Sequence, residues 1–328
     1  MHAAFIPDLG PADAIRYGDL PGPRPGPTDV LVAVECTTVN PVDTFVRSGV
    51  FRTPVQLPLI VSRDLVGTVL EVGPGVAGFT PGDHVWCNSL GHDGRQGAAA
   101  ERAVVPADRL YHLPDGVDAE QAVAVLHPAA TAFLALFTHA RIQPGETVLI
   151  AGGAGNVGSA LVTLSVQAGA RVVATASASD AAYVRGLGAA EVLDYRDPRL
   201  EDSLRAACPQ GVDVHVDSSG NNDLSLAVGL LAPRGRIVLL AGVAARPTLP
   251  VGPFYMKDAA LLGFVISHAP TEQLAAAAAM INRLLASGHL RPRHTERLAL
   301  SRMAEAHLRM EKGDLHGRRL VVRPDLDF

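Results

Sequence analysis

The chain is poor in the residues that build several common kinds of site. Lysine occurs only twice in 328 residues, at Lys257 and Lys312, so nearly all the positive charge is arginine. There is no basic run and the formal net charge is −5, which argues against nucleic acid as a partner. The three cysteines, Cys36, Cys87 and Cys208, are too few and too widely spaced for a disulfide framework or a zinc ribbon. Buried, inert thiols are the expectation for all three. No apolar stretch reaches the length of a membrane span, and the opening MHAAFIPDLG lacks a charged start followed by an apolar core. A cytoplasmic protein with no membrane partner is the resulting expectation. What is plentiful is apolar: 48% of residues are hydrophobic against 19% charged, over a length that suits two cores and two domains.

The first hundred or so residues are rich in Val, Gly and Pro and broken by turn signals such as PGPRPGPTD, EVGPGVAG and TPGD. Short alternating runs between them, VLVAVECTTV and LVGTVLEV, predict an all-β, barrel-like unit. From about residue 120 the texture changes. Helical patterns at 119–139, 156–168, 179–187 and 222–231 alternate with strand patterns at 147–151, 171–175, 191–193, 212–217, 236–241 and 260–265. That alternation predicts a doubly wound parallel sheet. The strand VDVHVD ends in Asp217-Ser218-Ser219-Gly220, a loop at a carboxyl end, where such sheets bind ligands; Ser219 is the candidate contact there. An alanine-rich helix after residue 268, a second helix, SRMAEAHLRMEKG, and a last strand, RRLVVRP, close the chain.

The most informative stretch is TVLIAGGAGNVG, residues 147–158. A strand leads into glycines 152, 155 and 158, then into the helical pattern SALVTLSVQAGA, with another strand, RVVAT, beyond it. This order presents bare backbone where a phosphate approaches the free N–H groups and positive dipole end of a helix. Gly152 would permit the turn, Gly155 the approach of a pyrophosphate and Gly158 a close helix–strand contact. Asn156 and Val157, at the helix start, join them as candidate cofactor-binding residues. A glycine-rich turn in an ordinary α/β unit is the bland alternative.

Taken together, NPVDTFVRSG (40–49), LPLIVSRDLVGTVLEVGPGVAGFTPGDHVW (57–86), HPAATAF (127–133), AGGAGNVG (151–158) and GAAEVLDYRD (188–197) resemble the medium-chain dehydrogenase/reductase superfamily, most closely its zinc-free quinone oxidoreductase branch. The resemblance covers nearly the whole chain. It implies a GroES-like catalytic domain from residues 1–120 and 268–328, a Rossmann domain from 121–267, and a cofactor cleft between them. Zinc alcohol dehydrogenases of the superfamily carry an early cysteine and a Gly-His-Glu motif. Here the matching stretches read Asn40-Pro41-Val42-Asp43 and Ser62-Arg63-Asp64, which lack the thiolate and imidazole of a catalytic zinc. No metal is expected, with the weak cluster of His84, Cys87 and His92 as the exception to watch.

The expected cofactor is NADPH. No acid stands directly after the strand RVVAT, where Thr175 and Ser177 are small and neutral, and Asp180 is expected to cap the next helix. The family's tyrosine is present as Tyr195; its lysine is replaced by Ala181, leaving Arg185, Arg196 or Arg319 to supply positive charge. The resemblance further implies Thr131 near the nicotinamide, Asn40 beside its ribose, and Gly242 and Phe264–Ile266 lining the pocket, with Lys257 reaching the cofactor or the domain junction. Related quinone reductases often border the acceptor with two tyrosines, and Phe45 and Phe51 stand there, with Arg47 between them. His127 is the candidate proton donor, although a histidine before proline is more often structural. A quinone acceptor suits a site with few acids. Reduction of an enone or enal double bond is the second reading, and a low-turnover, NADPH-binding structural or redox-sensing protein the third. The exposed edge of a Rossmann sheet also invites a homodimer.

Overall fold

The computed structural model describes residues 1–326; Asp327 and Phe328, the end of the expected 268–328 segment, lie outside the described residues. The chain divides into two compact units, Met1–His127 with Pro270–Phe328, and Pro128–Ala269.

The smaller unit is built on six parallel strands. In chain order they are Thr147–Ala151, Arg171–Ala176, Glu191–Asp194, Val212–Asp217, Leu231–Leu239 and Ala260–Gly263. Their order across the sheet is 3-2-1-4-5-6, the doubly wound arrangement whose reversal point lies between the first and fourth strands. The first and second strands pair in register from Thr147–Arg171 to Ala151–Thr175, and the fourth joins the first with Asp217 opposite Ala151. Val148, Ile150, Val172, Val173, Val214 and Val216 are fully or almost fully buried, because helices cover both faces of such a sheet and its strands read as unbroken apolar runs.

The larger unit carries a seven-stranded sheet and a three-stranded one. Its central strand, Asp29–Thr37, pairs antiparallel with Leu65–Val72 and with Arg102–Pro106. The chain's end returns to the same sheet: Arg319–Arg323 pairs parallel with Thr295–Ala299, and Val322 lies opposite Thr37. The sequence pattern there predicts β-structure throughout, but Pro41–Ser48 is a helix. Pro41 stands at its first position, the Asp43 carboxylate accepts from the Asn40 N–H at 2.7 Å, and Gly49 ends it in the left-handed conformation. These are local signals that a count of alternating residues passes over. The pattern over 119–139 also yields three pieces rather than one helix: Ala119–Val123, Leu126–Phe133 and a π-helical turn, Leu134–His139.

Candidate functional site

In the smaller unit the glycine turn closes after the first strand. Gly152 takes φ +83°, a conformation open to glycine, and its N–H reaches the Thr175 hydroxyl at 3.3 Å. The Gly153 N–H donates to the Thr175 carbonyl at 2.8 Å, so the second strand fixes the turn. A Cβ on Gly158 would run into the backbone of Gly152, whereas one on Gly155 would meet only the Gly152 carbonyl at 3.3 Å. Gly158 therefore lets the helix Asn156–Gln167 start against the turn, and Gly155 has a single close neighbour, the Gly152 carbonyl. The first N–H groups of that helix, from Asn156, Val157 and Gly158, have no intrahelical partner by geometry, and no side chain caps them. This is an anion cradle made of backbone.

A second loop borders the turn. The buried Asp217 carboxylate accepts from Ser219 N (2.8 Å), Ser219 Oγ (2.8 Å), Gly220 N (3.0 Å) and Asn222 N (2.7 Å), while Ser218 Oγ donates to the Ala151 carbonyl. Asn222 Nδ2 donates to the Ala241 carbonyl and so ties this loop to the next one, which holds Gly242. Asp217 and Asn222 received no role from sequence. The signal was the Asx-rich DSSGNND after an alternating strand, the pattern of a carboxylate that gathers loop N–H groups.

At the end of the second strand the Ser177 hydroxyl donates to the buried Asp180 carboxylate at 2.6 Å and lies 2.9 Å from Ser179 Oγ. Asp180 does not cap the helix it precedes, contrary to expectation, because its carboxylate turns back to Ser177. Tyr195 follows the third strand; its N–H donates to the Ala176 carbonyl, and its half-exposed ring carries the Arg196 guanidinium 5.1 Å above the centroid. Arg185 points elsewhere, donating to the Val192 carbonyl. Thr131 is half-buried on the helix Leu126–Phe133. The Phe264 ring stacks on His139 at 4.4 Å, and Ile266 is buried at the start of a short 3-10 turn.

Two arginine or lysine assignments fail here. Arg319 belongs to the larger unit, 2% exposed, its Nε donating to the Ala124 carbonyl, Nη1 to the Val39 carbonyl and Nη2 to Asn40 Oδ1. A guanidinium so buried and so occupied is a cross-link, not a phosphate receptor. Lys257 donates to the carbonyls of Val228, Gly229 and Leu231, satisfying the carboxyl end of the helix Leu224–Leu230 rather than a cofactor.

The larger unit holds a buried polar network. Asn40 Nδ2 donates to Asp64 Oδ2 at 3.0 Å, Asn40 Oδ1 accepts from Arg319, and Arg63 Nε donates to Asp43 Oδ1 at 3.1 Å. Both ends of the Asn40 amide are engaged within the network. Burial, then the nearby Asp43 charge, pushes the Asp64 carboxyl well above the usual carboxylate range. His127 Nδ1 lies 3.3 Å from the Asn88 carbonyl and 3.7 Å from Asp64 Oδ1. Burial, with Arg63 and Arg319 nearby, pushes its pKa down to about 3. At neutral pH the imidazole is uncharged, and because a carbonyl only accepts, its proton sits on Nδ1 facing Asn88. Nε2 is then an acceptor, so the structure does not support His127 as the proton donor.

The acceptor-wall residues separate. Phe45 is half-buried, and its carbonyl accepts the Phe51 N–H at 3.0 Å; Phe51 packs partly against the core of the larger unit. Arg47 does not reach the surface between them. Its side chain is 1% exposed and ion-paired with Glu311. The signals missed in sequence were Arg63 and Asp64, two charges inside the apolar run LPLIVSRDLVGTV.

The three cysteines are free and buried, and burial pushes the Cys87 thiol up to about 11. Among the described residues no group of three or more His, Cys, Asp or Glu could hold a metal. His84 is turned to Glu35, and His92 to the Ser89 carbonyl. Where the zinc enzymes carry their cysteine and histidine this chain has Asn40, an amide bonded at both ends, and Arg63, a guanidinium. The adjoining carboxylates of Asp64 and Asp43 are taken up by Asn40 and Arg63, so these residues do not make a zinc ligand set. For a nicotinamide dinucleotide they do fit: the glycine turn leaves the volume that a Cβ would fill, beside unpaired helix N–H groups. No helix among the described residues is long and apolar enough to cross a membrane.

Residues 26–115 match the alcohol dehydrogenase GroES-like domain family, and residues 156–283 the zinc-binding dehydrogenase family. The chain is 30% identical over 312 residues to the quinone oxidoreductase of Rattus norvegicus, covering 94% of this chain and 93% of that one. A quinone oxidoreductase structure from Pseudomonas syringae superposes with a TM-score of 0.86 at 27% identity, over 98% of this chain and 99% of that one. A mycobacterial protein solved with NADPH does so at 0.85 and 28%, over 99% and 100%. The two matched domains, the doubly wound sheet and the phosphate-type turn agree: the chain is a nicotinamide-dependent oxidoreductase belonging to the quinone oxidoreductase branch of the medium-chain dehydrogenase/reductase superfamily.

Proposed function

We propose that this chain is an NADPH-dependent, zinc-independent quinone oxidoreductase. The observation that carries the reading is the chemistry around Asn40 and His127: a committed amide, a neutral imidazole that accepts at Nε2, and no zinc ligand set. A site without a metal or an evident acid suits an acceptor whose product oxygens are stable as anions, which a quinone is and an enone, needing a proton on carbon, is not. The named relative from Rattus norvegicus is a quinone oxidoreductase, in accord with this.

The nicotinamide, when bound, supplies the hydride. The chain's own residues bind and orient. Gly152, Gly155 and the N–H groups of Asn156, Val157 and Gly158 take the pyrophosphate. Thr175 holds the turn that presents them. Ser219, pinned by Asp217, and Gly242 form the neighbouring rim. Thr131 and the backbone of Phe264 and Ile266 serve the nicotinamide end. Phe45 and Phe51 offer apolar surface to a flat acceptor.

Arg196 reads the 2′-phosphate. It replaces the missing lysine at Ala181, because Arg319 is buried in the larger unit and Arg185 is spent on a carbonyl. The Tyr195 face holds the guanidinium in place, an interaction of about 0.5–1 kcal/mol at an exposed site. Ser177 contributes little, its proton being given to Asp180. A homodimer is part of the same reading. The edge strand Ala260–Gly263 and the exposed side chains of Val251, Tyr255, Met256, Leu261 and Val265 would pair with a second copy.

The test is NADPH oxidation by chelator-treated protein, with an ortho-quinone and a simple enone side by side and zinc counted per chain. Turnover of the quinone alone is expected. Turnover of the enone alone moves the assignment to double-bond reduction. Tight NADPH binding with neither substrate turned over makes it a binding protein, and one zinc per chain overturns the mechanism.

A further inference from the structure

Arg47 is a buried cation with most of its donors unused. Its Nη2 is paired with Glu311, but Nε and Nη1 are buried without a hydrogen-bond partner. Those two atoms carry three of the five guanidinium N–H groups. His307, fully buried nearby, has neither ring nitrogen bonded. Burial and then the Arg47 charge push its pKa down to about 3, which places the imidazole within the field of that guanidinium. Orphaned buried donors of this kind are rare in native proteins and cost about 1–3 kcal/mol each, more for charged groups.

Arg47 also lines a cavity. Arg63, Asp43, Ser62, Leu90 and Gly91 share the lining, and the space open to a water-sized sphere is about 20 Å³, enough for one occupant of that size. The charges around it do not balance within the core. Arg47, Arg63 and Arg319 are all buried. Against them stand two buried carboxyls, Asp43 and Asp64, both pushed upwards by burial, while the acids that act on Arg47, Glu311 and Asp13, lie outside the core. Glu311 is one-third exposed and shares its charge with solvent.

We propose that this cavity is a site for one monatomic anion of halide size, held by the unbonded Nε–H and Nη1–H groups of Arg47 beside Arg63. A water molecule there accepts only two hydrogen bonds and adds no counter-charge. An anion accepts the N–H groups that Arg47 leaves unbonded and adds a negative charge beside two buried guanidinium groups. The site lies in the larger unit and does not depend on which acceptor the enzyme reduces.

Bromide decides the matter, because it scatters anomalously and water does not. Crystals of the full chain soaked in sodium bromide should show an anomalous peak in the cavity beside Arg47. The same soak of Arg47→Lys, which keeps a cation for Glu311 but removes the unbonded donors, should show none. In solution the wild-type melting temperature should rise with bromide above its value in gluconate at equal ionic strength. Surface bromide peaks with a flat anomalous map in the cavity overturn the proposal, as does a peak that persists in Arg47→Lys. If that variant does not fold, the wild-type map still decides.

Discussion

The two units solve the problem of holding polar groups in opposite ways. In the smaller one the phosphate-type turn is made almost wholly of backbone: glycines, helix N–H groups and a loop gathered by one carboxylate, Asp217. In the larger one the matching region is made of buried side chains, with Asn40, Asp43, Arg63, Asp64 and Arg319 bonded to each other at 1–5% exposure or less. Backbone cradles are exact about shape and indifferent to charge balance. Side-chain networks need every partner, since a charge left alone in the core has no water to turn to. The same chain therefore tolerates substitution in its two halves for different reasons.

The largest effect should come from opening the side-chain network. Arg319→Leu removes donors to Ala124, Val39 and Asn40 together and leaves Asp43 and Asp64 with one cation fewer. Breaking a buried pair in this way costs about 3–5 kcal/mol, read as a lower midpoint in urea with an unchanged slope. If the midpoint moves by less than a quarter of that, the network is not what holds this region.

On the backbone side two glycines separate folding from binding. Gly158→Ala puts a Cβ into the Gly152 backbone, so a loss of about 1–3 kcal/mol from overpacking is expected together with weaker NADPH binding. Gly155→Asp meets only one carbonyl at 3.3 Å and should keep the fold, but it places a carboxylate where the pyrophosphate arrives. Melting within a few degrees of wild type with NADPH binding weakened by about a hundredfold is the expected outcome, some 2.7 kcal/mol of binding. Unchanged NADPH affinity would move the phosphate site elsewhere.

The legibility of each half follows from the same contrast. A backbone cradle is a local object: strand, glycines and helix fall within residues 147–167, so spacing alone exposed it, and the strands around it were readable as apolar runs. The network joins residues 40, 43, 63, 64 and 319, which only the fold brings together. Sequence therefore read Arg319 as a candidate source of charge for the phosphate and placed Arg47 between the two pocket aromatics, because an arginine in print does not say which way it faces. The helix Pro41–Ser48 was hidden for a smaller reason, its capping signals lying inside a stretch dominated by β-type residues.

A charge effect of intermediate size should appear at the cofactor. Arg196→Ala should raise KM for NADPH about tenfold, one charge-assisted contact's worth, and leave KM for NADH unchanged. Equal changes for both cofactors would mean that Arg196 shapes the loop and does not read the phosphate.

The smallest and most specific test is of pH. His215 lies buried in the central strand Val212–Asp217, where burial pushes its pKa down to about 4, against the upward pull of Asp217. Between pH 6.5 and about 4 the unfolded chain binds a proton at this residue that the folded chain does not, so stability must fall as the pH falls through that window. One histidine contributes a slope of about 1.4 kcal/mol per pH unit. His215→Leu should leave stability at pH 7 within about 1 kcal/mol of wild type and remove that one-proton slope between pH 6 and 5. NADPH's own 2′-phosphate ionises at about pH 6, so the comparison is between the two chains at each pH: wild type and His215→Leu should show the same NADPH affinity per folded molecule throughout the window. An affinity difference between them that followed the unfolding curve of His215 would show that the strand's charge state reaches the loop through Asp217.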